Sequence, residues 1–339
     1  MTPVGAFISG CSGPVLSPAE RDFFARANPW GLILFKRNCE TPDQLKALTG
    51  AFRAAVGRRN APVFIDQEGG RVQRLGPPSN AWRRYPAARA YGEAFNASAL
   101  QGLRAARNVG RLMAEDLVAA GITANCVPVL DVPQPDAHEI VGNRAYSDRI
   151  EAIMALARAH AAGFADGGVL PVVKHIPGHG RARADSHLEL PVVDASRAEL
   201  EAFDFPPFAA MADAPMAMTA HVVYTALDKT APATLSKKVI SSVIRGQIGF
   251  RGLLMTDDLS MKALSGSYAE KTQRALAAGC DVVLHCNGDM AQMEEVAAAA
   301  GVLKGKSLAR AKEALKAARK PQPFDRKQAL KDLAAVLPA

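Results

Sequence analysis

Eight short apolar runs recur along the chain, at 5–9, 31–35, 62–66, 122–132, 169–175, 216–224, 252–257 and 281–285, with longer amphipathic stretches between them. Short runs that are apolar throughout read as buried strands. Helix-start signals lie in the intervals. Ser17-Pro18-Ala19-Glu20 places a capping oxygen, a first-turn proline and a reciprocal glutamate at the spacing of a capping box. Thr41-Pro42-Asp43-Gln44 and Ser196-Arg197-Ala198-Glu199 repeat the device. Strands alternating with capped helices imply βαβ units and a parallel sheet. Eight such units predict an α/β chain closed into a single (β/α)8 TIM-type barrel. An open doubly wound sheet would favour a Gly-x-Gly-x-x-Gly turn after an early strand; Gly10-Cys11-Ser12-Gly13 comes nearest and lacks the spacing.

A chain of 339 residues with 49% hydrophobic content can fill one such barrel. No linker-like stretch divides it, so one domain over 1–339 is expected, with no second α/β domain. Pro321-Gln322-Pro323 breaks the last helical region and leaves a terminal helix of about 324–337, expected on the barrel exterior. The five cysteines (Cys11, Cys39, Cys126, Cys280, Cys286) are odd in number and mostly inside apolar segments, which suits reduced thiols in a cytoplasmic protein. The first nine residues carry no basic or long apolar stretch, and no window approaches 18 uninterrupted apolar residues. Neither a secretory signal nor a membrane span is therefore expected. The net charge of +8 gathers late in the chain, with ten lysines and arginines against three acids between Leu303 and Asp332. That stretch also has helical apolar spacing at Leu308, Ala311, Leu315 and Ala318, so a solvated helix face explains the charge. No aromatic residues interleave to stack bases, and no nucleic-acid partner is expected.

In a barrel of this kind catalytic groups sit at the C-terminal ends of the strands. Asp66 closes the third run, Asp131 the fourth, Lys174 and His175 the fifth; His221 falls in the sixth, and Asp257-Asp258 closes the seventh. An unpaired buried charge costs several kcal/mol, so charges repeated at one end of apolar strands should face a polar cavity or one another. Their convergence predicts one pocket for a polar, sugar- or phosphate-like substrate. After Lys174-His175 the chain opens through Ile176-Pro177-Gly178-His179-Gly180 into a flexible loop that carries Asp185-Ser186-His187. A carboxylate two residues from a histidine can orient the imidazole and stabilise its charged form, which suits acid/base work near neutral pH.

Four segments together resemble the family 3 glycoside hydrolases: Ile65-Asp66-Gln67-Glu68-Gly69-Gly70-Arg71-Val72-Gln73-Arg74, Lys174-His175-Ile176-Pro177-Gly178-His179-Gly180, Asp185-Ser186-His187 and Thr256-Asp257-Asp258-Leu259-Ser260-Met261. More narrowly they are similar to the bacterial cytoplasmic β-N-acetylglucosaminidases of cell-wall recycling. The resemblance runs over nearly the whole chain in the same order. It implies a retaining exo-acting enzyme, without a cofactor or metal, that removes terminal N-acetylglucosamine from peptidoglycan fragments (GlcNAc-1,6-anhydro-MurNAc, with or without peptide). Asp257 matches the nucleophile that forms a covalent glycosyl-enzyme, His187 the general acid/base, and Asp185 the residue that holds His187. Asp66, Arg74, Arg144, Lys174 and His175 match residues that hydrogen-bond the terminal sugar. A small-molecule substrate and a monomeric enzyme are the expectations for partners. Many family members carry a second α/β domain that supplies the acid/base, and a chain without it agrees with the subfamily that uses the loop histidine.

Other positions are read from their chemistry. Arg71 is taken as a scaffold residue pairing with Glu68 or Asp66, and Asp131 as a buried hydrogen-bonding group that shapes the pocket. His221 stays open between a site residue and a satisfied wall histidine. Arg181 and Arg183 are either solvated loop charges or contacts to the anionic peptide of a muropeptide. Phosphate in place of water as the acceptor is the alternative within the enzyme class. A zinc hydrolase built from His175, His179, His187, His221 and Asp185 is the alternative from another chemistry, but the chain has no His-x-His after the first strand and no helical His-Glu-x-x-His.

Overall fold

The computed structural model describes residues 3–77, 81–135 and 138–337. Eight parallel strands close a barrel: β1 (Gly5–Ser9), β2 (Pro29–Leu34), β3 (Val63–Ile65), β4 (Ala124–Asn125), β5 (Leu170–Ile176), β6 (Met216–Thr219), β7 (Leu253–Asp258) and β8 (Val282–His285). Each strand pairs with its sequence neighbours, and β8 returns to β1 through Phe7↔Val283 and Ser9↔His285. This is the (β/α)8 TIM-type barrel of an α/β protein, as the eight-run pattern predicts. Residues such as Ile8, Leu32, Phe64, Val172, Met216, Leu254 and Val282 are sealed from solvent because the closed sheet and its helices cover both faces.

The strands are trimmed relative to the apolar runs for identifiable reasons. In the run 122–132 only Ala124–Asn125 is regular strand. Pro128 has no amide hydrogen to continue the ladder, and the chain instead follows β5 through Lys174 N to Pro128 O (3.1 Å) and Leu130 N to Lys174 O (2.7 Å). The run 216–224 splits after Thr219, and Val223–Tyr224 pairs separately with Val192–Val193.

Ser17 and Ser196 form the expected capping boxes with Glu20 and Glu199. Thr41 caps its helix through Gln44 N, but the Gln44 side chain accepts from Glu40 rather than from the cap residue. The terminal helix, α2 (Arg326–Val336), lies against α1 (Ala99–Ala119) on the outside of the barrel. Asp332 there accepts from Arg104 (3.1 Å) and Asn108 (2.6 Å). Among the described residues no helix is long and apolar enough to cross a membrane.

Candidate active site

One pocket of about 300 Å³ opens at the C-terminal ends of the strands. Its wall includes Asp66, Arg74, Arg144, Lys174, His175, His187 and Asp257, and Asp185 stands behind His187. The eight residues singled out in the sequence therefore come together at one end of the barrel.

The floor on the β3 side is an ion-pair network. Lys174 Nζ lies 2.7 Å from Asp66 Oδ1 and 2.7 Å from Glu68 Oε1. Arg74 Nη2 donates to Asp66 Oδ2 at 3.2 Å, and Arg144 grips Glu68 with Nε and Nη2, both at 2.8 Å. Burial opposes the ionisation of Asp66, but the charges of Lys174 and Arg74 outweigh it and hold the carboxyl well below its usual range. For Glu68 burial again opposes ionisation, and Arg144 with Lys174 takes the carboxyl down to about 2. Burial would favour deprotonated Lys174, yet Asp66 and Glu68 keep its ammonium above the usual range. Among the described residues Arg74 Nε is buried without a hydrogen-bond partner.

Two residues at strand ends look alike in sequence and differ in the fold. Asp131 is 0% exposed and takes three donors: His175 Nδ1 at 2.7 Å, His175 N at 3.2 Å and His179 N at 2.7 Å. Burial opposes its charge, the adjoining His175 outweighs that, and the carboxyl falls to about 2. Asp131 thus shapes the pocket by orienting His175, whose Nε2 stays available to a ligand. Asp257 lines the pocket itself, and its one hydrogen bond among the described residues is from Asp258 N, 2.8 Å. Burial opposes its charge too, but His175 beside it keeps it ionised below the ordinary range. Asp258 also reaches the wall, but Ser260 N, Ser260 Oγ and Cys286 N occupy its carboxylate. An ionised carboxylate with a free oxygen is what nucleophilic attack requires, and of the two only Asp257 offers one.

The loop after β5 brings Asp185 and His187 together. His187 Nδ1 and His187 N both lie 2.8 Å from Asp185 Oδ1, so one carboxylate oxygen fixes the ring and its backbone. Because Nδ1–H is donated to Asp185, Nε2 is the nitrogen left to exchange a proton. The His187 side chain is 60% exposed. Packing fixes the loop's near end, where a Cβ on Gly180 would fall 1.9 Å from Val132 O, so no larger residue fits there. At the far end Ser186 Oγ meets His179 Nε2 at 3.2 Å, and Ala263 N donates to Ser186 O at 3.2 Å.

The residues left open in the sequence also find places. Arg71 lines the pocket and donates to the carbonyls of Glu139 and Ile140 rather than pairing with Glu68 or Asp66, which corrects that expectation. His221 is a satisfied wall residue, with Nε2 donating to Asp258 O at 3.1 Å and Nδ1 against the Thr234 hydroxyl at 2.7 Å. Arg181 binds the buried Asp204 at 2.7 Å, and Arg183 is exposed. Sequence reasoning assigned Ser186 no pocket role, and named His179 only as a ligand of the zinc alternative and Glu68 only as a partner for Arg71, yet all three line the pocket. The spacing of Asp66 and Glu68 was the available signal, since residues two apart on extended backbone share a face. Among the described residues no group of three His, Cys, Asp or Glu is placed to hold a metal ion.

A barrel whose one pocket holds an ionised carboxylate with a free oxygen, a carboxylate-held histidine and a bed of paired charges has the parts of a glycosidase barrel. Residues 17–319 match the model of the glycosyl hydrolase family 3 N terminal domain. The chain is 40% identical to a β-hexosaminidase of Alkalilimnicola ehrlichii over 84% of its own length and 81% of that protein's. It is also 40% identical to a β-hexosaminidase of Chromobacterium violaceum, over 84% and 79%. It superposes on the crystal structure of NagZ from Neisseria gonorrhoeae in complex with N-trifluoroacetyl-D-glucosamine with a TM-score of 0.89, at 33% identity, over 98% of each chain. The chain belongs to glycoside hydrolase family 3, and its activity is that of a β-N-acetylhexosaminidase.

Proposed function

We propose that the chain is a retaining exo-β-N-acetylglucosaminidase that removes the non-reducing terminal N-acetylglucosamine from peptidoglycan fragments, GlcNAc-1,6-anhydro-MurNAc with or without its peptide. It would act as a cytoplasmic monomer. The observation that carries this reading is the presence of Asp257 and His187, held by Asp185, in one pocket with Asp66, Arg74, Arg144, Lys174 and His175. Four carboxylates and four lysine or arginine cations line that pocket, a balance suited to an uncharged sugar. The relative solved with N-trifluoroacetyl-D-glucosamine supports the choice of hexosamine, and the resemblance to cell-wall recycling enzymes supports peptidoglycan as its source.

In this reading Asp66, Arg74, Arg144, Lys174 and His175 bind the hydroxyls of the terminal sugar. His187 gives the Nε2 proton to the departing oxygen while Asp257 attacks the anomeric carbon, and a glycosyl ester forms on Asp257. His187 then takes a proton from water as the water cleaves that ester, and the sugar leaves with its configuration retained. Purified protein given the anhydro-disaccharide should release N-acetylglucosamine as the β-anomer, followed by proton NMR within the first minutes. First release of the α-anomer would overturn the retaining mechanism, and a sugar 1-phosphate in phosphate buffer would overturn hydrolysis. Turnover of p-nitrophenyl N-acetyl-β-glucosaminide without turnover of the disaccharide would overturn the peptidoglycan substrate.

A further inference from the structure

The geometry points to Glu68 as a positioning residue that aligns Arg144 and Lys174 as one preformed pair of donors for the sugar. Its carboxylate accepts two charged hydrogen bonds from Arg144, Nη2 on Oε1 and Nε on Oε2, both at 2.8 Å, and pairs ionically with Lys174 Nζ, 2.7 Å from Oε1. With 6% of its side chain exposed, it has little surface left to offer a substrate directly. It acts through the two cations it holds.

The three groups come from parts of the chain with no local reason to meet. Lys174 lies within β5, two residues before its end, Arg144 sits on the turn Gly142–Arg144, and Glu68 lies on a two-stranded hairpin formed by Gln67–Gly69 and Val72–Gln73. Lys174 is fixed by its barrel strand, and the hairpin is fixed by contacts of its own. Asn125 brackets Gln67 through Gln67 N and Gln67 O, each at 2.9 Å. The Gln67 side chain then binds Arg74 N and Leu75 N, each at 3.0 Å. Gly69, at φ +96°, presses so closely on Pro86 O that a Cβ would come within 2.1 Å. The Arg144 side chain, by contrast, has one further hydrogen-bond partner among the described residues, Ile140 O at 3.1 Å. Without the Glu68 charge Lys174 would keep Asp66 as its partner, but Arg144 would lose its paired carboxylate and face the Lys174 ammonium in a buried site, so repulsion would turn the arginine away. A carboxylate between them converts that repulsion into a bidentate fork and a point charge of defined direction.

This rests on the proposed binding of the terminal sugar by Arg144 and Lys174, so the test reads binding and turnover separately. Glu68→Gln keeps the volume and removes the charge. Calorimetry should show its affinity for N-acetylglucosamine lowered about 10- to 150-fold, the range for hydrogen bonds to charged groups. KM for p-nitrophenyl N-acetyl-β-glucosaminide should rise in parallel, with kcat changed less. Glu68→Asp, which keeps the charge on a shorter arm, should fall between the two and serves if the amide variant does not fold. In an Arg144→Met background the Glu68→Gln effect should shrink to under about fivefold, because the partner it aligns is gone. An equal loss in both backgrounds, or wild-type affinity in Glu68→Gln, would overturn the assignment. A wild-type protein that hydrolyses the glycoside yet is indifferent to Arg144→Met and Lys174→Met would instead overturn the sugar-binding reading beneath it.

Discussion

Replacing Asp185 by alanine separates what that residue does for the fold from what it does for the reaction. Among the described residues the Asp185 side chain makes two hydrogen bonds, both 2.8 Å and both to His187, on a loop where the histidine is 60% exposed. Solvent-exposed charged pairs contribute about 0–1 kcal/mol to stability. For a chain of this size that amounts to no more than about 3 °C in Tm. In the proposed mechanism the Nε2 proton exists only on the imidazolium, so in the proton-donating form the Asp185–His187 bond is one between ions. Such bonds are worth about 1.5–3 kcal/mol, which is about 10- to 150-fold in rate at 1.36 kcal/mol per tenfold. The loss should track the leaving group. kcat/KM should fall by that factor for methylumbelliferyl or disaccharide substrates, which need a proton on the departing oxygen. An activated dinitrophenyl glycoside should fall much less in its glycosylation step. His187→Ala should show the same pattern more strongly, within the about 100- to 10,000-fold typical of acid/base catalysis, with partial rescue by azide in deglycosylation. Equal losses on all substrates, or a Tm drop beyond about 8 °C for Asp185→Ala, would refute the division between fold and reaction.

Asp257→Ala should lower kcat by several orders of magnitude with the fold intact, and a 2-fluoro sugar should label Asp257 in the wild-type protein; mass-spectrometric labelling at Asp258 would reassign the nucleophile. Asp131→Asn removes a buried charge held by His175, so urea unfolding should show a loss of about 3 kcal/mol, with kcat/KM falling as His175 loses its orientation. Burial pushes His160 down from 6.5 to about 3, and burial with the nearby His175 takes His179 down from 6.5 to about 4. Their folded values are depressed, so the unfolded chain binds more protons below 6.5. Stability should then be fully present above about 6.5 and fall by roughly tenfold in the folding equilibrium per pH unit per histidine as pH drops toward about 4. Urea midpoints at constant ionic strength measure this, and His160→Gln should flatten the slope by about one proton. Asp131 and Glu68 act at lower pH. Their carboxyls are depressed to about 2, so their contribution should hold above about 4.5 and disappear as pH falls toward 2.

The barrel was legible because a strand buried on both faces must be apolar throughout, and this chain repeats that run eight times with helix caps between. Boundaries were less so. The run 122–132 looks like one long strand, and only Pro128 hints that the ladder stops after two residues. The separate pairing of Val223–Tyr224 with Val192–Val193 leaves no local trace, since each partner is an ordinary apolar dipeptide. The basic stretch 303–332 behaves as a solvated surface for the most part, but Arg310 reaches the buried Asp281 at 2.9 Å, a contact no helical spacing encodes.

For the site, position along a strand reveals which residues reach the pocket end of the barrel and does not reveal what they do there. Asp131 and Asp257 make the point. Each is an acid closing an apolar run, and nothing in their immediate sequence separates their roles. In the fold, Asp131 is sealed in and saturated by three donors, whereas Asp257 keeps a free oxygen in the pocket. The number of donors converging on a carboxylate decides between scaffold and chemistry, and those donors come from chain segments that only the folded barrel assembles. Glu68 is the same lesson from the other side: its partners Lys174 and Arg144 come from a barrel strand and a distant turn, so a residue that reads as part of a polar turn becomes the hub of the pocket's charges.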